Sequence, residues 1–382
     1  MAIDLLRLVH DQIQVGQPLP FGVRDERGRL LLARGLVVHN QGQRDLLISR
    51  GLYVDHDEPL PGELSAAAAP GQTGAAPKAT LFDLWKRTTA RLDVLLRSLD
   101  GPDAQNGFAA RCDLFADQLM ALVARDPDIG IYQSVRQDPT RLSLYGLSHA
   151  LHCALLCQLA AARVGWPAAR VRTVVKAALT MNLAIVEVQG RFATMGRLTT
   201  VQRDQIRAHP QEAVDRLMAA GIDDAEWLQA IIEHHERPGG GGYPNNLMAI
   251  GETTQLLSMA DVFMAKISPR TERPALPIQD AARQMFAESK GSPLAAAIIK
   301  EYGIYPPGNF VQLASGEIAV VVRRGATAHT PVAAAVTDQH GIATVKTLHR
   351  NTAEPAYAIK GLVQDNKALL RVPPERLYGL VT

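Results

Sequence analysis

The chain has 382 residues, of which 47% are hydrophobic and 20% are charged, so two to three globular domains can each bury a core. Its 40 basic and 38 acidic residues leave a formal charge of +2, which argues against a nucleic-acid-binding or membrane-binding surface. Three cysteines argue against a disulfide framework, and the sequence has neither a signal-peptide pattern nor a run of about 18 apolar residues, so we expect a cytoplasmic protein without membrane insertion.

Residues 1–60 have the pattern of a small α+β domain. Two apolar runs, at residues 21–24 and 30–33, flank a polar turn that contains glycine, which predicts a β-hairpin. Residues 36–38 predict a third short strand, and residues 41–50 predict a helix.

The rest of the chain is predicted to be mainly α. Residues 61–79 are rich in Ala, Gly and Pro, which is typical of a linker. Residues 80–303 repeat apolar positions at helical spacing and predict an all-α domain of seven to eight helices. The predicted helices span residues 81–99, 108–123, 143–164, 168–186, 200–219, 225–235, 251–267 and 277–289. Residues 304–382 predict a short β-rich C-terminal extension, with strands at 310–313, 318–322, 331–336 and 368–372.

One segment carries most of the chemical information. His234 and His235 end an apolar helix, and a turn of four glycines then closes with Tyr243 and Pro244. Imidazole is the commonest protein ligand for metals, and glycines let the backbone approach a ligand closely. From spacing alone, a surface loop with two solvated histidines fits as well as a metal site.

The segment is similar to the HHE-xx-DG-x-GYP signature of the HD-GYP family, with Gly239 in place of the Asp. His209 followed by Pro210, and Asp261 within an Ala-Asp-Val-Phe-Met-Ala run, match further motifs of that family in order and spacing. His149 falls where the family has its first helical His ligand. The resemblance covers about residues 140–320 and implies an HD-domain helical bundle related to cyclic-di-GMP phosphodiesterases.

The chain departs from the family where the name-giving His-Asp pair should stand. Met181 replaces the His, Asn182 replaces the Asp, and Ile185 replaces a Lys. The family's Asp bridges two metals, which a neutral amide cannot do in the same way, and a thioether is a poor ligand for iron or manganese.

By resemblance, the surviving ligands divide into two half-sites. One keeps His149 and Asp261, and the other keeps His209, His234 and His235. We therefore expect either no metal or one divalent ion, zinc, iron or manganese, and we do not expect a dinuclear site.

The resemblance also implies binding residues. Arg270 and Arg273 fall on positions that contact phosphate in the family, so they are candidate ligands for cyclic di-GMP together with Gly242 and Tyr243. The loop Gly240, Gly241, Gly242, Tyr243 and Pro244 is a candidate contact for diguanylate cyclase (GGDEF) domains or other signalling proteins. We expect the N-terminal domain to serve in docking or dimerisation, so a homodimer is one expected assembly.

Three functions remain open from the sequence. The preferred hypothesis is a non-catalytic HD-GYP signalling protein that acts by binding cyclic di-GMP or partner proteins. The alternatives are an active phosphodiesterase with an atypical metal site and a scaffold with a vestigial pocket. A separate hypothesis concerns His149, Cys153 and Cys157, which share one face of a helix and would form either a zinc site or ordinary core.

Overall fold

The structure is a computed structural model that describes residues 3–5, 10–25, 30–51, 53–55, 80–101, 104–137, 139–195, 198–271, 273–363 and 372–380. Two compact units make up the chain, Met1–Val94 and Leu95–Thr382. The predicted linker at 61–79, the hairpin turn at 26–29 and residues 368–371 of the last predicted strand lie outside the described residues.

The N-terminal unit contains a four-stranded antiparallel sheet of order β1-β4-β2-β3. Its elements are β1 Ile3–Leu5, β2 Gly22–Arg24, β3 Leu30–Leu32, α1 Gln41–Arg50 and β4 Tyr53–Asp55. The predicted hairpin is confirmed, since β2 pairs with β3. The predicted strand at 36–38 is wrong, because Val37 and Val38 form only isolated bridges, and Pro18, opposite Val37, has no N–H with which to extend a ladder.

The mainly α class predicted for residues 80–303 is confirmed. The described part of this range holds eleven α-helices, whereas seven to eight were predicted. They are α2 Leu81–Arg97, α3 Ala104–Arg125, α4 Pro127–Val135, α5 Tyr145–Arg163, α6 Ala168–Thr180, α7 Val186–Met195, α8 Thr200–Ala219, α9 Ala225–Glu233, α10 Glu252–Ile267, α11 Ile278–Glu288 and α12 Pro293–Tyr302. The count was too low because α4, α7 and α12 have nine or ten residues each, too few for a clear apolar repeat. Helix α4 also follows α3 after the single capping residue Asp126.

Helix α5 is the buried centre of the helical part. The segment Arg141–Arg163 is long and apolar enough by composition to cross a membrane, but 89% of its apolar window is buried inside the fold, as in a core helix. Only four residues, 164–167, connect α5 to α6, and the two helices pack closely, which makes them an antiparallel hairpin. The start of α5 therefore lies beside the end of α6.

Helix α6 ends earlier than the predicted helix 168–186. Residues 181–185 form a tight turn in which the N–H groups of Leu183 and Ile185 donate to the carbonyls three residues before them. Thr180 marks the end of the helix: its hydroxyl donates to the Lys176 carbonyl at 2.7 Å and accepts from Trp227 Nε1 at 2.9 Å. This buried anchor positions the turn that carries Met181 and Asn182.

The C-terminal residues form a five-stranded antiparallel sheet of order β8-β7-β6-β5-β9. Its strands are β5 Phe310–Leu313, β6 Ile318–Arg323, β7 Val332–Thr337, β8 Ala343–Asn351 and β9 Ile359–Leu362, and the four-residue helix α13 is Pro374–Leu377. Strands β5 to β7 were predicted, whereas β8 and β9 were not. The two missed strands form the edges of the sheet, where one unpaired side relaxes the apolar pattern.

Candidate metal and nucleotide site

Three histidines predicted from the sequence meet in the helical part of the chain. His209 lies in α8, and His234 and His235 lie in the turn that follows α9. One ring nitrogen of each lies within 4.8 Å of the others, and the Nε2 atoms of His209 and His234 are 3.2 Å apart. His209 and His234 are fully buried. The three side chains are thus close enough together to be ligands of one ion.

The tautomers of two of these rings follow from their backbone partners. His209 Nδ1 lies 2.5 Å from the Ile206 carbonyl, and His234 Nδ1 lies 2.6 Å from the Ile231 carbonyl. Because a carbonyl only accepts, each Nδ1 carries the proton and each Nε2 presents a lone pair. Two lone pairs then face each other at 3.2 Å without a proton between them. A cation would relieve this, and imidazoles held through Nδ1 by carbonyls are the usual metal-binding arrangement.

Burial keeps these rings neutral. It lowers the pKa of His209 from its ordinary value of 6.5 to about 4, and it lowers the pKa of His234 still further. Burial also lowers the pKa of His235, although the charge of Asp261 opposes that shift. Only the unprotonated ring binds a metal, so all three are in the binding-competent form at neutral pH. The donor set therefore fits one zinc-like ion with an open position.

The glycine-rich loop is built onto the fully buried Glu236. This carboxylate accepts the N–H of Asn245 at 2.5 Å and the N–H of Leu247 at 3.0 Å. A Cβ on Gly242 would lie 2.4 Å from the Glu236 Cα, so only glycine fits there. Tyr243 then stacks on His235, with ring centroids 4.6 Å apart. Sequence reasoning gave Glu236 no role, although its place between the histidines and the glycines was the available signal.

A second group of ligand atoms involves the other predicted half-site. His149 Nε2 lies 2.7 Å from Asp261 Oδ1 and 3.5 Å from Cys153 Sγ, and all three residues are buried. Burial alone would raise the pKa of Asp261, but the hydrogen bond with His149 and the nearby histidines hold it below its ordinary value. The sequence grouped Cys153 with His149 and Cys157, whereas the structure groups it with His149 and Asp261.

The replaced dyad is buried in the turn after α6. Met181 is fully buried and Asn182 is 3% exposed, and Ile185 is buried beside them. Asn182 Nδ2 has no hydrogen-bond partner among the described residues. Because α5 and α6 form an antiparallel hairpin, the turn that carries Asn182 lies near the start of α5, the helix that carries His149. No carboxylate stands at either dyad position.

The predicted phosphate-binding arginines lie on one short loop, where their backbones bridge each other. Arg270 donates to the Tyr145 hydroxyl at 2.7 Å and lies over the rings of Tyr145 and Phe192. Its Nε is buried and has no acceptor in the described part of the chain. Arg273 is exposed and donates to the Ala265 carbonyl. Tyr145 also stacks on His149 with centroids 5.4 Å apart, so it connects the arginine loop to the second ligand group.

The chain is similar to several known proteins. The family model described as "HD domain" matches residues 124–292. The cyclic di-GMP phosphodiesterase PA4108 of Pseudomonas aeruginosa is 30% identical over 231 residues, which are 58% of this chain and 55% of that protein. The chain thus spans little more than half of that relative. The solved structure of Bd1817, an HDG"Y"P protein from Bdellovibrio bacteriovorus, aligns with a TM-score of 0.45 and 13% identity over 78% of this chain and 97% of the other. The HD-domain match, the related phosphodiesterase and the His-His-Glu and Gly-Tyr-Pro motif around three converging histidines make this chain similar to proteins of the HD-GYP family.

Proposed function

We propose that this chain is a non-catalytic HD-GYP signalling protein that binds cyclic di-GMP and passes the signal on through protein contacts. The observation that carries the proposal is the buried pair Met181 and Asn182, which offers no imidazole and no carboxylate. Hydrolysis of a phosphodiester benefits from two metals held about 3.5–4 Å apart, and a bridging carboxylate offsets their charge. A pocket without that carboxylate retains a ligand-binding surface but loses much of the electrostatic stabilisation of the transition state.

One divalent ion is proposed for His209, His234 and His235. The facing Nε2 lone pairs and the lowered pKa values of His209 and His234 support this ion. Zinc, iron and manganese all accept imidazole, and zinc is the most tolerant of a three-histidine site. When bound, such an ion supplies a positive charge that attracts an anionic ligand.

Nucleotide binding is supported by Arg270. Its buried Nε–H lacks an acceptor among the residues that the structure describes, and a buried donor without a partner costs about 1–3 kcal/mol. A phosphate oxygen is an acceptor of the kind that is missing, and arginine suits phosphate geometrically. Arg273 on the same loop and Tyr243 on His235 would add a second charge and a stacking surface for a base.

The glycine-rich loop supports the protein-contact part of the proposal. Gly241 and Pro244 are exposed, and Met248, on which Gly240 packs, is 72% exposed. An exposed Met beside an anchored loop is a surface that binds other proteins readily. Diguanylate cyclase (GGDEF) domains are the partner that the family resemblance suggests.

Calorimetry with cyclic di-GMP, together with chromatography of the nucleotide after incubation with Zn²⁺, Fe²⁺ or Mn²⁺, tests the proposal. We expect binding without a linear product, and Arg270→Ala should weaken binding at least about tenfold. Arg283→Ala is the matched control, because Arg283 is an exposed arginine of α11 with only a surface partner. Hydrolysis by the wild-type protein that disappears in His234→Ala would instead establish an enzyme with an atypical metal site.

The double change Met181→His and Asn182→Asp distinguishes a chain that has lost only the dyad from one that has also lost its nucleotide-binding pocket. If the dyad is the missing part, the double variant should gain metal and hydrolytic activity over the wild-type chain. If neither the wild-type chain nor the double variant binds cyclic di-GMP, the pocket is vestigial and the scaffold hypothesis is correct.

A further inference from the structure

Arg270 differs from two other half-buried arginines of the chain in what its side chain binds. Arg324 and Arg350 each donate to largely buried carboxylates. Arg270 makes no ion pair within the described ranges, and its side-chain hydrogen bond goes to the neutral hydroxyl of Tyr145 at 2.7 Å. A half-buried cation that no carboxylate balances is a place where an anion is stabilised.

The guanidinium of Arg270 lies over two aromatic rings. Its Cζ is 5.0 Å from the centroid of the Tyr145 ring and 5.1 Å from that of the Phe192 ring. Such contacts order the side chain, so an anion that binds here loses little affinity to ordering it. A second positive charge is close, because the backbones of Arg270 and Arg273 bridge each other. Burial and the charge of Arg270 together lower the pKa of Arg273.

The hydroxyl of Tyr145 has a proton to donate. Its oxygen accepts from Arg270 Nη2, and a phenol that accepts one hydrogen bond can also donate one. The described part of the chain offers this O–H no acceptor. The Nε–H of Arg270 is likewise a buried donor without an acceptor among those residues, and Tyr145 is only 5% exposed. Two donors on two hydrogen-bonded side chains thus lack an acceptor in a place that contains little water.

The two donors are close enough to bind one phosphate group. Nε and Nη2 of Arg270 are bonded to the same carbon by bonds of about 1.3 Å, so they are at most about 2.7 Å apart. Since Nη2 is 2.7 Å from the Tyr145 hydroxyl, Nε lies within about 5.4 Å of that oxygen. An acceptor about 2.8 Å from each donor, an ordinary hydrogen-bond length, can therefore bridge them.

We propose that the O–H of Tyr145 and the Nε–H of Arg270 together form a subsite for one phosphate group. The subsite rests on the proposed function, because cyclic di-GMP would supply the phosphate, and it adds a contact that the sequence did not predict. A phosphodiester carries one negative charge, which balances Arg270. In this role Tyr145 binds the ligand itself, in addition to supporting Arg270.

Tyr145→Phe removes the hydroxyl and keeps the ring. In calorimetry with the full chain, this change should weaken binding of cyclic di-GMP by about tenfold, because a hydrogen bond to a charged group is lost. Tyr357→Phe is the matched control and should bind like the wild type. Its ring also lies near an arginine, Arg350 at 4.5 Å, but that arginine is paired with Glu317. Circular dichroism shows whether the variants are folded.

A double-mutant cycle separates direct binding from support of Arg270. If Tyr145 donates to the phosphate, Tyr145→Phe should still weaken binding about threefold or more when Arg270→Ala is already present. If Tyr145 acts only by holding Arg270, the second change has no further effect, and the direct contact is wrong.

Inorganic phosphate tests the subsite without the nucleotide. The melting temperature of the full chain should rise with phosphate, relative to chloride at equal ionic strength, and should rise less in Tyr145→Phe. A phosphate effect without binding of cyclic di-GMP would refute the proposed function and keep the subsite. Equal nucleotide affinity in the wild type and Tyr145→Phe would refute the subsite and keep the proposed function. Absence of both effects in the wild type overturns both.

Discussion

At the scale of single residues, Glu236 lies between the histidines and the glycines of the candidate site, and its carboxylate holds the backbone of the glycine-rich loop. Its two carboxylate oxygens accept from Asn245 and Leu247, and Gly242 packs directly against it. In Glu236→Gln the amide NH₂ faces one of these N–H groups, and a charge-assisted bond is lost. We expect a loss of about 2–3 kcal/mol in the free energy of unfolding, measured by urea titration.

The control for this change is Glu212→Gln, on the exposed face of α8. It should change stability by less than about 0.5 kcal/mol. Equal effects in the two variants would show that Glu236 does not hold the loop.

A second residue-scale prediction concerns acid. Burial and the nearby His149 lower the pKa of His152 from 6.5 to about 3, so the unfolded chain binds this proton first as the pH falls. The stability contributed by neutral His152 is complete above pH 6.5 and is lost as the pH falls from there towards 3. Between pH 7 and pH 5 this amounts to about 2 kcal/mol.

Urea unfolding of the metal-free protein at pH 7, 6 and 5 measures how the free energy of unfolding changes with pH, with His152→Asn as the comparison. The variant should lose less stability than the wild type over the same interval. A slope that is identical in both proteins would mean that His152 is not neutral and buried in solution.

At the scale of elements, α5 and α7 approach each other closely because of glycine. A Cβ on Gly146 would lie 2.6 Å from the Val186 carbonyl oxygen, which the backbone of α7 cannot avoid. Gly146→Ala should therefore destabilise the protein by about 1–3 kcal/mol through overpacking, measured by thermal unfolding. Gly361→Ala is the control, since a Cβ there meets nothing within 4 Å and should be near neutral.

The elements differ in how far the sequence could predict them. The 200–219 helix was predicted at its observed bounds, and its start has a complete capping box between Thr199 and Gln202. The end of α6 was missed, because Met181, Asn182 and Leu183 are compatible with a helix by local propensity. The helix stops there through Thr180 and the distant Trp227, a tertiary contact that no local pattern encodes.

At the scale of the whole molecule, the C-terminal sheet and the helices of the second unit share a charged contact. Arg324 donates to Asp128 at 2.5 Å and to Glu301 at 2.6 Å, and both carboxylates are largely buried. Arg324→Ala leaves the buried Asp128 without this cation, while Glu301 keeps its ion pair with Arg163. We expect a loss of about 2–4 kcal/mol, measured by calorimetry of the full chain.

Arg283→Ala serves as the control here as well, because its ion pair with Asp280 is exposed. A near-neutral Arg324→Ala would show that this ion pair does not hold the sheet to the helices.

The sequence could predict those residues of the candidate site that lie close together in one motif. His234, His235 and the glycines form one motif, and the family resemblance added His209, His149, Asp261 and the arginines. Two contacts could not be predicted from the sequence, that of Cys153 with Asp261 and that of Tyr145 with Arg270. Each contact joins segments more than 100 residues apart. Only the fold brings those pairs together.

Tyr145 lies between the loop that carries Arg270 and the group formed by His149 and Asp261. Its hydroxyl accepts from Arg270, and its ring stacks on His149. An anion bound at Arg270 that shifts this ring would also shift the imidazole of His149, which holds the carboxylate of Asp261 through Nε2. A charge that arrives at the arginine loop would then be felt at a buried carboxylate of α10, by way of two stacked rings.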